Sequence, residues 1–270
     1  MVQPCTQFLL TRAVHVRAVK VLRPARLACS FLCLMLSACA HHRRDRAQAE
    51  IRYDLAVRNL MEHPQIAFKE VEKALRLDPH MHEAWHVRGV LFHYSFGRHD
   101  EALKSYKKAL ALHPKYSEAN TNLGNLYVDL KRYDDAIVQY KKALNNVLYR
   151  VPYIAHGNLG WAYYKKGKLA EALDHLNAAV TINPQYCLGH FKLGQLYEKN
   201  KQHQEACVHF SHYRTHCPER AEAWQYDGMC HAKTGDTKTA QESFQKCIEK
   251  SAQDITQQNT CKKLLNQFKR

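Results

Sequence analysis

The chain has 270 residues, of which 46% are hydrophobic and 24% charged, with ten glycines and eight prolines. That composition excludes a disordered tail and a collagen-like fibre. The formal net charge is +15, but no run of five Lys or Arg is present, so the charge points to solubility or an acidic partner and not to nucleic acid. Ten cysteines mean disulfides or metal, depending on the compartment.

The first residues speak to that compartment. Arg12, Arg17, Lys20, Arg23 and Arg26 occur with no acidic residue before an apolar stretch from Leu27 to Leu36, which ends in Leu36-Ser37-Ala38-Cys39. A positive region, a short apolar region and small residues form the pattern of an export signal. The stretch is shorter than the roughly 20 residues of a membrane span. Leu-Ser-Ala-Cys resembles the bacterial lipobox, which implies that Cys39 is acylated and becomes the first mature residue. Ala40 in place of Asp implies transfer to the outer membrane. Residues 1–38 therefore read as signal peptide and 39–46 as a lipid-anchored tether. Taking away the five basic residues of the signal leaves +10.

From residue 47 onward the chain repeats. Leu-Gly-x-x-Tyr occurs around Gly124, Gly160 and Gly194, and glycine recurs at 89, 124, 160, 194 and 228. Ala136, Ala172, Ala206 and Ala240 each follow such a glycine by twelve residues, whereas Ala102 comes one residue late. Pro79, Pro114, Pro184 and Pro218 close most units. These residues resemble the tetratricopeptide repeat, which implies an all-α fold: a right-handed superhelix of six helix pairs plus a C-terminal capping helix. The domain is expected over 47–268, with units at about 47–80, 82–116, 117–152, 153–186, 187–220 and 221–252 and the cap at 254–268. Leu55 stands where the first unit should have its glycine, as suits an atypical terminal repeat. Ile255, Cys261, Leu264, Leu265 and Phe268 give the cap helical spacing. Gly and Ala mark close helix crossings. The large residue four after each second-helix Ala (Val71, Tyr106, Tyr140, Leu176, Phe210, Phe244) is expected to fill the space between neighbouring units.

Eighteen histidines raise the question of metal. His41-His42 sits in the tether. His209, His212 and His216, with His203 nearby, recur at i, i+3, i+7 on one second helix, a spacing that Zn²⁺ or Cu²⁺ can use. A solvated helix face explains them better, so no metal and no cofactor are expected. Catalytic signatures are missing: there is no Gly-x-Ser-x-Gly, no phosphate-binding loop, no His-Glu-x-x-His and no Cys-x-x-Cys after the signal. The chain is not expected to be an enzyme.

Six cysteines cluster at 187, 207, 217, 230, 247 and 261. In an exported protein they suggest disulfides, with 15 connectivities open. The geometry of tetratricopeptide units favours Cys187 with Cys217, Cys207 with Cys230 and Cys247 with Cys261, the alternative being reduced thiols at small-residue sites.

First helices of such repeats line a concave groove that grips a peptide or helix. Counting from the glycines, the groove candidates are His86, Val90, His93, Tyr94, Asn125, Val128, Trp161, Tyr164 and Phe191. A clamp for an acidic C-terminus is only partly matched by Asn125, Asn158 and Lys192, because Thr121 and Leu188 stand where lysines are expected. A lipobox followed by six units and a cap resembles the type IV pilus pilotin family, known as PilF, PilW or Tgl. The resemblance implies an outer-membrane lipoprotein facing the periplasm, which escorts secretin subunits and promotes their assembly. The alternatives are an adaptor of the NlpI type that recruits peptidoglycan hydrolases or proteases and, behind it, a metal-dependent envelope enzyme.

Overall fold

The computed structural model describes residues 43–267. The chain divides into two units, residues 1–48 and 49–270. Of the first, only 43–48 are described, and they are helical. The signal, Cys39, the His41-His42 pair and Phe268 lie outside the described residues.

The second unit is all-α, and its helices pack consecutively in pairs. In chain order they are α1 (49–59), α2 (Pro64–Leu77), α3 (His82–Val90), α4 (His99–Leu112), α5 (Ser117–Asp129), α6 (Tyr133–Leu144), α7 (Pro152–Lys165), α8 (Leu169–Ile182), α9 (Cys187–Lys199), α10 (His203–His216), α11 (Ala221–Lys233), α12 (Thr237–Lys250) and α13 (Ile255–Gln267). Among the described residues these are thirteen helices and no strand. They form six pairs and a cap. No described helix is long and apolar enough to cross a membrane.

The repeating residues set this geometry. A side-chain carbon added to Gly89, Gly124, Gly194 or Gly228 would come within 2.5–2.7 Å of the ring of Tyr106, Tyr140, Phe210 or Phe244 respectively. At Gly160 the obstacle is Leu176 at 2.7 Å. Each of these five large residues therefore fills the gap left by its own unit's glycine, and Phe210 also stacks on Tyr226 of the next unit at 4.6 Å, in the space between units that the sequence suggested. The small residue must sit directly opposite the large one for the two helices of a pair to close. In α1, Ala56 is fully buried while Leu55 is only partly so, which shifts the close contact of the first unit by one residue.

The connections follow backbone rules. Asp78, His113 and Asn183 end their helices in extended conformations (ψ 94°, 87° and 95°), as a following proline demands. The side chains of Trp85, Asn120, His190 and Trp224 then bond to the carbonyls of Pro79, Pro114, Pro184 and Pro218, each six residues earlier, at 2.7–3.3 Å. Within units, the turn between helices passes through one residue of positive φ: Gly97, Lys131, Gly167, Lys201 and Gly235. The next residue donates back five positions, for example Arg132 to Tyr127. The second pair departs from this pattern. There α3 continues into a π-helical turn, Leu91–Ser95, and the closing bond from Arg98 reaches six positions to Phe92. The extra residue of that turn explains the late Ala102.

Candidate partner-binding groove

The first helices α3, α5, α7, α9 and α11 carry their glycines in register, so positions two before, one after and five after each glycine form columns across neighbouring helices. The column before the glycine holds Asn122, Asn158 and Lys192, joined by a chain of hydrogen bonds. Asn122 Nδ2 donates to His86 Nε2 (2.8 Å), and His86 Nδ1 faces the Tyr116 hydroxyl (3.2 Å). Asn125 Oδ1 accepts from the Tyr140 hydroxyl (2.7 Å) and from Asn158 Nδ2 (2.9 Å), while its own amide donates to the Tyr94 hydroxyl (3.1 Å). Asn158 Oδ1 accepts from Lys192 Nζ at 2.7 Å. This ladder fixes side chains from α3 to α9. Burial, reinforced by His82, pushes His86 down to about 4, which keeps the ring neutral and able to accept. Burial likewise pushes Lys192 down to about 8, since its partners are neutral oxygens.

Seven of the nine candidates read from the sequence fall into three groups. Tyr94, Trp161 and Tyr164 present aromatic surface: Tyr94 is 55% exposed, and Trp161 and Tyr164 are partly buried and stacked on each other at 5.0 Å. His86 and Asn125 belong to the ladder. Val90 and Val128 pack against the core. One residue turns out to be covered. Extra backbone in the π-helical turn carries His93 inward, where it is 5% exposed, lies 4.0 Å beneath the Tyr94 ring and bonds Asp129 at 2.8 Å. Phe191 is partly buried, like Trp161, and also packs on Tyr213 (4.8 Å) and Tyr226 (5.3 Å), helping to join α9 to α10 and α11. Thr121 is buried too, donating to Ser117.

What the glycine count missed is the third column, five residues after the glycine: Asp129, Lys165, Lys199 and Lys233. Lys165 Nζ lies 4.7 Å from the Trp161 ring centre and Lys199 Nζ 5.0 Å from that of Tyr164. Lys233 is paired with Glu198. Aligning the five units on their glycines would have shown this column.

The histidines of α10 do not gather around a metal position, and no described group of three His, Cys, Asp or Glu could hold one. His209 Nδ1 instead meets His190 Nδ1 of α9 at 3.0 Å, His212 stacks on His190 at 4.7 Å, and His203 pairs with Glu198. His156 and His175 repeat the first contact one unit earlier, at 3.1 Å. The structure joins Cys187 to Cys217, Cys207 to Cys230 and Cys247 to Cys261, with Cα separations of 5.9, 5.5 and 5.9 Å.

Comparison with known proteins agrees with this architecture. Family models for the tetratricopeptide repeat match residues 61–117, 93–147 and 221–253, and one for the TPR repeat matches 160–201. The structure of PilW, a widely conserved type IV pilus biogenesis factor, is 25% identical with a TM-score of 0.69, covering 78% of this chain and 97% of that one. Pseudomonas aeruginosa PilF superposes with the same TM-score at 18% identity, over 81% of this chain and 98% of that one. Among curated relatives, Protein bimA of Emericella nidulans is 38% identical over 109 residues, which is 40% of this chain but only 13% of bimA. With the repeat models placed along the stack, the chain belongs to the tetratricopeptide repeat superfamily, and its fold is similar to that of PilW.

Proposed function

We propose that this protein is a lipid-anchored scaffold that holds secretin subunits and promotes their localisation and assembly at the outer membrane for type IV pilus biogenesis. One observation carries the reading: 78% of this chain superposes on 97% of PilW, a type IV pilus biogenesis factor, with a TM-score of 0.69 at 25% identity. Shared repeats alone support only protein binding. Superposition over nearly the whole length of a pilus biogenesis factor narrows the choice. The acyl groups on Cys39 supply the address, since stable anchoring needs more than one chain. The groove supplies the grip, and no step calls for catalysis or a cofactor.

The test is capture of an outer-membrane secretin by the mature chain, together with the fate of secretin in a strain carrying Cys39→Ser. The reading expects capture in the first case and mislocalised, unassembled secretin in the second. Labelled palmitate entering the mutant would remove the anchor from the account. Recovery of a peptidoglycan hydrolase with no secretin would replace the pilus role with the adaptor role.

A further inference from the structure

The ladder residues are satisfied by one another, but the lysine column beside them is not. Lys165 and Lys199 occupy the same position in successive repeats, both are exposed, and neither is paired with a carboxylate among the described residues. Their ammonium groups are held instead over Trp161 and Tyr164, an arrangement that leaves each cation free to meet an anion on its outer side. Lys233 extends the column but is already occupied by Glu198. Lys192 adds positive charge on the floor, where only neutral oxygens face it. The sign reverses toward the N-terminus, because the same position in α5 is Asp129.

We propose that the C-terminal half of the groove binds an extended, internal acidic segment of the protein partner, with its carboxylates on Lys165 and Lys199 and an intervening aromatic side chain against Trp161 and Tyr164. This deepens the scaffold reading and rests on it for the partner's identity, not for the chemistry. Two cations one repeat apart suit successive carboxylates of a chain that crosses the helices, whereas a single terminal carboxylate would need both lysines on one point. The stacked rings give the segment an apolar anchor of the kind that dominates binding energy. Asp129 sets the polarity, since acidic residues running toward α5 are repelled.

The probe is a fluorescent heptapeptide, acetylated and amidated, in which acidic pairs alternate with Phe. Binding to the full mature chain is followed by anisotropy in low and moderate salt. The proposal expects saturable binding that weakens with salt, falls at least tenfold when Asn and Gln replace the acids, and falls similarly in Lys165→Glu/Lys199→Glu. Lys107→Glu/Lys108→Glu on α4, with the same change in net charge, should bind as the parent does. Because both lysines are exposed, unchanged melting of the double variant confirms that folding is intact, and Lys165→Gln/Lys199→Gln gives a milder second series. Equal binding of the neutral peptide, binding only when the peptide's C-terminus is free, or equal loss in the α4 control would overturn the proposal. Secretin capture that survives the double variant would overturn it while sparing the scaffold reading. Peptide binding without secretin capture would do the reverse.

Discussion

The middle of the stack and its C-terminal end hold together by different means. From Phe92 to Leu196 sixteen buried side chains form one continuous cluster through four repeats, with an aromatic or leucine on each glycine and a small separate cluster around Tyr149. Beyond α9 the core breaks into three small clusters, around Tyr213, Phe210 and Phe244. The same region carries all three disulfides. One closes the fifth pair, the second ties α10 to α11, and the third ties α12 to the cap. The last pair also buries charge: Asp227, 3% exposed, accepts from Ser243 and pairs with Arg214, at the position where units three to five have Leu123, Leu159 and Leu193. Stability in a repeat array is largely a sum of local terms, so a unit with less apolar contact gains most from covalent ties.

Truncating a core aromatic should separate the two regions most clearly. Tyr140→Ala and Phe244→Ala each remove a fully buried ring, at a cost of about 3–5 kcal/mol. The first should lower the melting of the whole middle cooperatively, while the second should loosen only the last pair and the cap. Hydrogen exchange resolved by segment distinguishes these outcomes, and identical exchange patterns would break the comparison.

Reduction is the next largest lever. Opening the 30-residue loop between Cys187 and Cys217 should cost about 3–4 kcal/mol in the chain-entropy model. Exchange in α9 to α13 should accelerate while α4 to α7 stays protected. Six reactive thiols in unreduced, denatured protein would show that these ties do not exist.

Acid should act on the paired imidazoles of the fourth and fifth units. Burial lowers His156, His175, His190 and His209, the last to about 4. Neighbouring histidines add to this for all but His175, where Lys141 does so instead. Two rings meeting nitrogen to nitrogen share one proton and resist a second. Since their folded values lie below the unfolded value near 6.5, the unfolded chain binds more protons in that window. Their contribution is therefore complete above about 6.5 and lost as pH falls toward 4. Thermal melts of His175→Gln and His209→Gln should show a shallower pH dependence than the parent over that range.

The smallest effect belongs to the turns. Lys131 and Lys201 adopt φ of 58° and 64° where the other units use glycine. Replacing either by Gly should stabilise by about 0.5–1 kcal/mol, because the left-handed conformation is costly for a residue with a Cβ. Lys201→Gly should report on the C-terminal half and Lys131→Gly on the middle.

Much of this was legible because the repeat leaves marks that only close packing requires. Gly at a crossing, Ala twelve residues on and Pro at the turn are each demanded by sterics, so they surface in sequence. The partner of each glycine was not legible, since spacing gives the register of Tyr140 or Phe210 but not which helix it faces. His93 was misjudged because one extra residue in a π-helical turn rotates everything after it, and Ala102 arriving late was the sole trace. The hydrogen-bonded ladder was hidden in ordinary Asn and His residues, whose meaning depends on neighbours about 35 positions away.

The most direct measurement is recovery of an outer-membrane secretin by the mature chain and by Trp161→Ala/Tyr164→Ala, with thermal melts of both proteins. The account predicts secretin on the parent and its loss from the variant, by about 2 kcal/mol or more if the two rings are a true hot spot, with melting little changed. Secretin retained by the variant at unchanged melting, or absent from the parent, would contradict it.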